Sequence, residues 1–342
     1  LALALIVSRT PWFRDWLRRT IIREARQYVN GELSIGQVTG NLFFDFGLAD
    51  VAVDLSGDRV VAIKALAVDY SVFELISARM VVDHVTLTAA RVHLARGADG
   101  WNMGRLLKAR EREADRRGPG RSISLPSIAI VDGTIAIDDD SGPRSYRLPR
   151  RIEDLDVQAS FAYEPVHFTI GLNQFSFRAA DPDLTVQQLT GTVAVRNDNL
   201  YLDRVAVKTG ESALNIGGVI ESYLRTPVIK LATAGSVSLP EVGRHVSALA
   251  GYPLHPKLVV NANGTLDRLL LDLNVTTEAG IVRGPLMTDL RSPDFAFAGP
   301  LQLERLNLAP ILKNPARRSD ITGAVRIDVT LPSNPPGTPV FN

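Results

Sequence analysis

Strict alternation of apolar and polar residues is the feature that most limits what this chain can fold into. From Leu189 to Ile220 it reads LTGTVAVRNDNLYLDRVAVKTGESALNIGGVI, with apolar pairs at Val193 and Val195, Leu200 and Leu202, Val205 and Val207, and Leu214 and Ile216. Residues two apart share one face of a strand, so the stretch predicts antiparallel strands with one apolar and one polar face. The same positions set the register. With a turn at Asn197–Asp198–Asn199, Val195 falls opposite Leu200 and Val193 opposite Leu202. A slip by one residue would turn one strand's apolar set to water. The phase changes at Asp203–Arg204 and again at Gly217–Gly218, and each change predicts a bulge that returns the same face inward.

The chain opens on LALALIVSRT, seven apolar residues followed by Ser8 and Arg9. A spanning helix needs about 20 apolar residues. An apolar run, then arginine, then aromatics is the order in which a membrane helix ends at the water surface. Residues 1–10, with Leu3, Leu5 and Ile6, are therefore expected to be the end of a membrane anchor, with Trp12, Phe13 and Trp16 at the interface. A buried terminal strand and a cleaved signal peptide are the alternatives. The other end, LPSNPPGTPVFN, runs into prolines without a closing strand, so the chain reads as part of a longer protein.

Residues 11–30 predict a juxtamembrane amphipathic helix, with Phe13, Leu17, Ile21, Ala25 and Tyr28 on one stripe and Asn30–Gly31 as the stop. Arg14, Arg18, Arg19, Arg23 and Arg26 fill the rest of its surface, either against anionic headgroups or simply in water. Residues 31–103 form a first β block, with a helical interruption at Val72–Ser77. Residues 104–121 are densely charged and close on Gly118–Pro119–Gly120, a short exposed helix and flexible link. Acidic residues interrupt its arginines, which disfavours a nucleic-acid arm.

From 122 to 342 the β pattern repeats. In Ser127–Asp138 the dipeptide Asp132–Gly133 predicts a tight hairpin, with Ile130 opposite Ile135 and Ile128 opposite Ile137. Leu269, Leu271, Leu273 and Val275 alternate with polar neighbours, Phe295 and Phe297 mark another strand, and Val325, Ile327 and Val329 are in phase in Ile321–Leu331. Short helices are expected at Leu239–Leu249 and Leu308–Leu312.

Signs of chemistry are scarce. The five histidines, His84, His93, His167, His245 and His255, show no metal-ligand spacing, although His84 and His93 lie in one β block and could be neighbours. Asp138–Asp139–Asp140 lacks the glycine and terminal glutamate of a calcium loop. There is no nucleophile elbow, P-loop or dinucleotide fingerprint. The chain has no cysteine, which rules out disulfides and thiolate metal sites, and a net charge of +1 gives no general attraction to nucleic acid. No catalytic residue, metal or cofactor is expected, and an enzyme is not.

What remains is architecture. A sandwich places its strands within roughly 100 residues, whereas here strands recur from Leu33 to Leu331. The expected fold is mainly β: an elongated, curled, antiparallel-type sheet forming an apolar groove, with an N-terminal helix and short connecting helices. Candidate groove residues are Ile128, Ile130, Ile135 and Ile137; Val193, Val195, Leu200, Leu202, Leu214 and Ile216; Leu269, Leu271, Leu273 and Val275; Phe295 and Phe297; and Val325, Ile327 and Val329. Such a trough would solvate acyl chains at about 0.8 kcal/mol per methylene.

Several stretches resemble the AsmA-like superfamily, most closely the N-terminal part of the TamB proteins of bacterial envelopes. They are GELSIGQVTGNLFFDFGLADVAVDL, IKALAVDYSVFELISARMVVDHVTLTAARVHLARGADGWN, TGTVAVRNDNLYLDRVAV, NGTLDRLLLDLNV and NLAPILKNPARRSDITGAVRIDVTL. The resemblance implies a protein held by a single-pass anchor in the inner membrane of a diderm bacterium, with its β region in the periplasm. It implies a groove carrying phospholipids between inner and outer membranes, support of outer-membrane assembly, and an outer-membrane β-barrel partner reached through a further C-terminal region. The alternative is an envelope scaffold, a β-solenoid-like protein that binds assembly proteins.

Overall fold

The computed structural model describes residues 10–41, 45–70, 82–97, 100–106, 123–139, 147–164, 167–246, 249–291, 295–331 and 340–341. Leu3, Leu5 and Ile6, the interruption at Val72–Ser77 and most of the charged segment 104–121 lie outside the described residues. The chain is mainly β, in open, antiparallel-dominated sheet with few short helices, as the alternation predicted. It divides into two compact units, Leu1–Gly142 with Pro149–Asp181, and Pro143–Leu148 with Pro182–Asn342.

The first unit holds helix α1 (Pro11–Ala25) and strands β1 (Glu32–Asn41), β2 (Asp45–Leu55), β3 (Asp58–Tyr70) and β4 (Val82–Gly97). After β5 (Gly100–Trp101) and α2 (Asn102–Leu106) come β6 (Ile123–Asp139), β7 (Arg151–Glu164) and β8 (His167–Ala180). Pairing runs β1–β2–β3–β4–β6–β7–β8, antiparallel except for the parallel pair β4–β6. Thr10 starts α1: its Oγ1 accepts from the Phe13 N–H at 3.4 Å, and Pro11 stands where no intrahelical N–H is needed. Leu17, Ile21 and Ile22 pack on Ile35, Val38, Leu48 and Val51, the packed cluster of buried aliphatics found among the described residues. The helix ends at Ala25, so Tyr28, placed on the buried stripe from spacing, lies beyond it and is 53% exposed.

Ile35 and Val38 are three apart, as are Leu48 and Val51, yet all four are buried. One residue per strand therefore leaves the alternation. Asp50, Ala89 and Asp132 take left-handed φ of 52°, 49° and 56°. On β1 and β2 the pairs Gln37–Ala49 and Ile35–Val51 flank Gly36 and Asp50 without a change of register, so neighbouring strands step together.

That step corrects the hairpin expected at Asp132–Gly133. Residues Ile123–Asp139 form one strand, with Leu87 opposite Ile130 and Val92 opposite Ile135 on parallel β4. A type I′ turn needs positive φ at both central residues. Here Asp132 alone has it, and Gly133 stays outside the left-handed region, so the chain kinks and continues. Ile128 and Ile130 pair with Ala159 and Val157, and Ile135 with Ile152, so the isoleucines still share one face.

The second unit is a meander. Its strands are β9 (Leu184–Arg196), β10 (Asn199–Thr209), β11 (Ala213–Glu221), β12 (Val228–Ser236), β13 (Lys257–Thr265), β14 (Arg268–Thr277), β15 (Gly280–Asp289), β16 (Phe295–Leu306), β17 (Ile321–Leu331) and β18 (Val340–Phe341). Each pairs antiparallel with the next. Helices α3 (Leu239–Val242) and α4 (Leu308–Ile311) are single turns, the first shorter than expected. Val195 does face Leu200 and Val193 does face Leu202, across a turn with φ of 47° and 65° at Asn197 and Asp198. A bulge lies between Leu202 and Val205, with Arg204 at φ 48°.

No bulge occurs at Gly217–Gly218, contrary to expectation. Register runs unbroken from Leu214–Gly235 to Ile220–Ile229, so Leu214, Ile216, Gly218 and Ile220 stay in phase. The glycine serves close approach instead: at φ 136°, a Cβ on Gly218 would stand 2.1 Å from the Lys230 carbonyl oxygen.

A polar latch ties α3 to the loop between β10 and β11. Ser238, fully buried, caps the helix by accepting from the Glu241 N–H at 3.2 Å and donates to Glu211 at 2.6 Å. Glu241, 4% exposed, accepts from Thr209 at 2.6 Å and Ser212 at 2.5 Å. Ser238→Ala removes the cap and leaves polar groups unmatched, and is expected to lower stability by about 1–2 kcal/mol on urea denaturation. The hydrogen bond from Ser238, with the Arg244 charge, holds the Glu211 carboxyl below its usual range. A lowered folded-state pKa contributes stability above the unfolded value that is lost as pH falls through the folded one. Glu211→Gln should therefore narrow the gap between urea midpoints measured at neutral and acid pH.

Candidate functional site

Cross-strand register shows which side chains stand together, because paired residues share a face. In the second unit one row runs Val195, Leu200, Ile220, Ile229, Gly264, Leu269, Thr288, Phe297 and Val329. A second starts Val193, Leu202, Gly218, Leu231, Ala262, Leu271 and Leu286, with Ile327 on its β17 level. A third joins Ile216, Thr233, Val260 and Leu273, and a fourth joins Leu214, Gly235, Leu258 and Val275. Phe295 pairs with Leu331 two places from Phe297, and Val325 with Leu301. All the second-unit groove candidates therefore lie on one face. No position in these rows carries a charge.

This face is sheltered but not sealed. Leu269 is 4% exposed, whereas Leu270, next in sequence and on the opposite face, is 39% exposed. Leu271, Leu273 and Val275 are half-buried, while Val325 on β17 reaches 37% exposure. A closed core would bury these chains fully, and a flat bare sheet would shelter neither face. The opposite face carries Lys230, Asn263, Asn274 and Arg283, paired into the same ladders.

In the first unit Ile128, Ile130, Ile135 and Ile137 are half-buried on the face of Leu155 and Val157, which are 7% and 9% exposed. Helix α1 covers the β1–β2 end of that sheet with Leu17, Ile21 and Ile22.

Sequence reasoning missed β12 and β15, and with them Ile229, Leu231 and Leu286. In β12 the alternation is diluted by alanine, threonine and glycine; in β15 Pro285 argues against a strand. The available signal was a repeated tripeptide, Gly284–Pro285–Leu286 and Gly299–Pro300–Leu301. These lie at the same level of β15 and β16, between the pairs Arg283–Gln302 and Met287–Ala298. A Cβ on Gly284 would approach Leu301 Cδ2 at 3.3 Å, and one on Gly299 would approach Leu286 Cδ2 at 3.2 Å. Each leucine thus lies over the other strand's glycine, and both are 6% exposed.

Two hydroxyls interrupt the rows, Thr233 in the third and Thr288 in the first. Thr288 is 2% exposed and its Oγ1 has no hydrogen-bond partner. Thr288→Val keeps the shape and removes the unmatched hydroxyl, so stability should rise by about 1 kcal/mol on chemical denaturation.

The remaining titratable groups do not converge. His84 and His93 stand near the two ends of β4, about 30 Å apart at strand spacing, and are not neighbours. His93 meets Asp138 at 2.7 Å, His167 meets Glu164 at 2.7 Å and His255 meets Glu278 at 3.2 Å, all at the surface. Among the described residues no group of His, Asp and Glu could hold a metal, and no helix is long and apolar enough to cross a membrane.

No family model, curated protein or solved structure matches the chain. The chemistry of the face is accordingly read from its own side chains. Mostly aliphatic walls without charges offer a methylene chain about 0.8 kcal/mol per buried CH₂ and offer a charged ligand no counter-ion.

Proposed function

We propose that the apolar face binds the acyl chains of phospholipids and that the protein moves them between the inner and outer membranes of a two-membrane bacterium, without chemistry of its own. The observation that carries this reading is the uncharged, half-buried face of the second unit, where Leu269 is sheltered and Leu270 is not. On the same reading, residues 1–10 end an inner-membrane anchor, the sheets stand in the periplasm, and a β-barrel assembly partner lies at the outer membrane. Tails would lie on the aliphatic rows while headgroups remain in water, because no residue in those rows carries a charge to match theirs.

The test is titration of the delipidated chain with a fluorescent fatty acid such as cis-parinaric acid, followed by displacement with phosphatidylethanolamine. Saturable binding that the phospholipid reverses is expected. A delipidated, folded chain that leaves the probe's emission unchanged would exclude acyl-chain binding.

A second reading, an envelope scaffold that binds protein, is favoured by the opposite face. Leu270 and Met287 pair directly there and are 39% and 42% exposed. It predicts protein capture at Leu270 and no lipid at Leu271.

A further inference from the structure

The chain has three tryptophans, and two of them stand in water on one short helix: Trp12 is 72% exposed and Trp16 48%. Both belong to α1, whose aliphatic stripe is already used, because Leu17, Ile21 and Ile22 are packed on the sheet. At about 100° per residue, Trp12, Trp16, Arg19 and Arg23 fall within one narrow arc on the other side of the helix. All four are exposed. Phe13 backs this arc, with its ring centroid 5.5 Å from that of Trp16. From Thr10 to Arg26 the five arginines 14, 18, 19, 23 and 26 outnumber Asp15 and Glu24, a net charge of +3 within a chain of +1. Asp15 sits at the edge of the stripe, paired with Arg18 and Arg19, and Glu24 lies outside it, accepting from Gln27.

A helix face meant only for water does not need two indole rings. Tryptophan favours the boundary between hydrocarbon and water, and arginine favours phosphate. We propose that this stripe docks α1 flat on an anionic lipid bilayer, with Trp12 and Trp16 at headgroup depth and Arg19 and Arg23 on lipid phosphates. The sheet-facing stripe stays on β1 and β2 throughout, so docking needs no unfolding of the first unit. The inference is independent of whether the apolar face binds acyl chains.

The full chain is tested by flotation with vesicles of phosphatidylcholine, alone or mixed with phosphatidylglycerol, and by quenching of tryptophan emission with brominated phosphatidylcholine. To keep residues 1–10 from holding the bilayer, every variant is compared in a background carrying Leu3→Ser, Leu5→Ser and Ile6→Ser. Binding to the mixed vesicles, weakened by salt, is expected, with bromine quenching that disappears in Trp12→Phe/Trp16→Phe, where Trp101 remains. Arg19→Glu/Arg23→Glu should weaken binding to the mixed vesicles by at least about tenfold while the circular dichroism melt is unchanged. Equal binding to both vesicle types, or quenching that persists without Trp12 and Trp16, would overturn the proposal. So would a stripe shielded only by added protein, which would assign it a protein partner.

Discussion

An arginine at position 271 is expected to weaken acyl-chain binding at least about tenfold while leaving the fold in place. Leu271 is half-buried, paired with Ala262 on one side and Leu286 on the other, in a row without charge. A guanidinium there, with its water, displaces the contacts of two or more methylenes, about 1.6 kcal/mol, and 1.4 kcal/mol is a factor of ten. The arginine stem can lie along its aliphatic neighbours and lift its head toward water, so the stability loss should stay within about 1–2 kcal/mol. Ile327→Arg on β17 should behave alike. Leu270→Arg, on the opposite face and 39% exposed, should change neither quantity. Parinaric acid affinity and urea midpoints of the three variants separate the two effects.

The largest loss of stability is expected at a residue with no side chain. Gly235 has φ 152°, and a Cβ there would stand 2.0 Å from the Ala213 carbonyl oxygen and 2.9 Å from Leu214 Cα. Both obstacles are backbone of the paired strand and neither can rotate away. Gly235→Ala must break the local β11–β12 pairing or distort both strands, at a cost of about 3 kcal/mol or more. Gly57, in the turn between β2 and β3, provides the comparison: its φ is 93° but nothing lies within 4 Å of an added Cβ. Gly57→Ala should cost about 1 kcal/mol, from backbone strain alone. Urea denaturation followed by circular dichroism distinguishes the two.

Much of this organisation is legible in the sequence, for a definite reason. Period-2 alternation acts through register, and register is fixed by local pairing, so Val195–Leu200 and Val193–Leu202 follow from the residues alone. Placing Leu269, Leu271, Leu273 and Val275 on one face needs nothing more. What escaped depends on backbone conformation that no pattern reveals. Asp132–Gly133 has the composition of a turn, yet only the aspartate takes positive φ, and the strand runs on. Gly217–Gly218 has the look of a bulge, yet the glycine permits close approach of Lys230. Strand β12 was hidden by the alanine, threonine and glycine that dilute its alternation, and β15 by Pro285, although Leu286 and Leu301 each lie over a glycine of the other strand. The Ser238–Glu241 latch joins residues about 30 apart in sequence, a separation at which spacing rules carry no information.

The sidedness of the sheet is the central claim, and neighbouring residues test it most directly. A photo-crosslinking amino acid is placed at Leu271 and, in a separate protein, at Leu270, and adducts formed in cells are identified by mass spectrometry. Phospholipid adducts at position 271 and none at position 270 are the predicted result. Equal lipid labelling at both positions, or protein adducts at 270 with no lipid at 271, would contradict it.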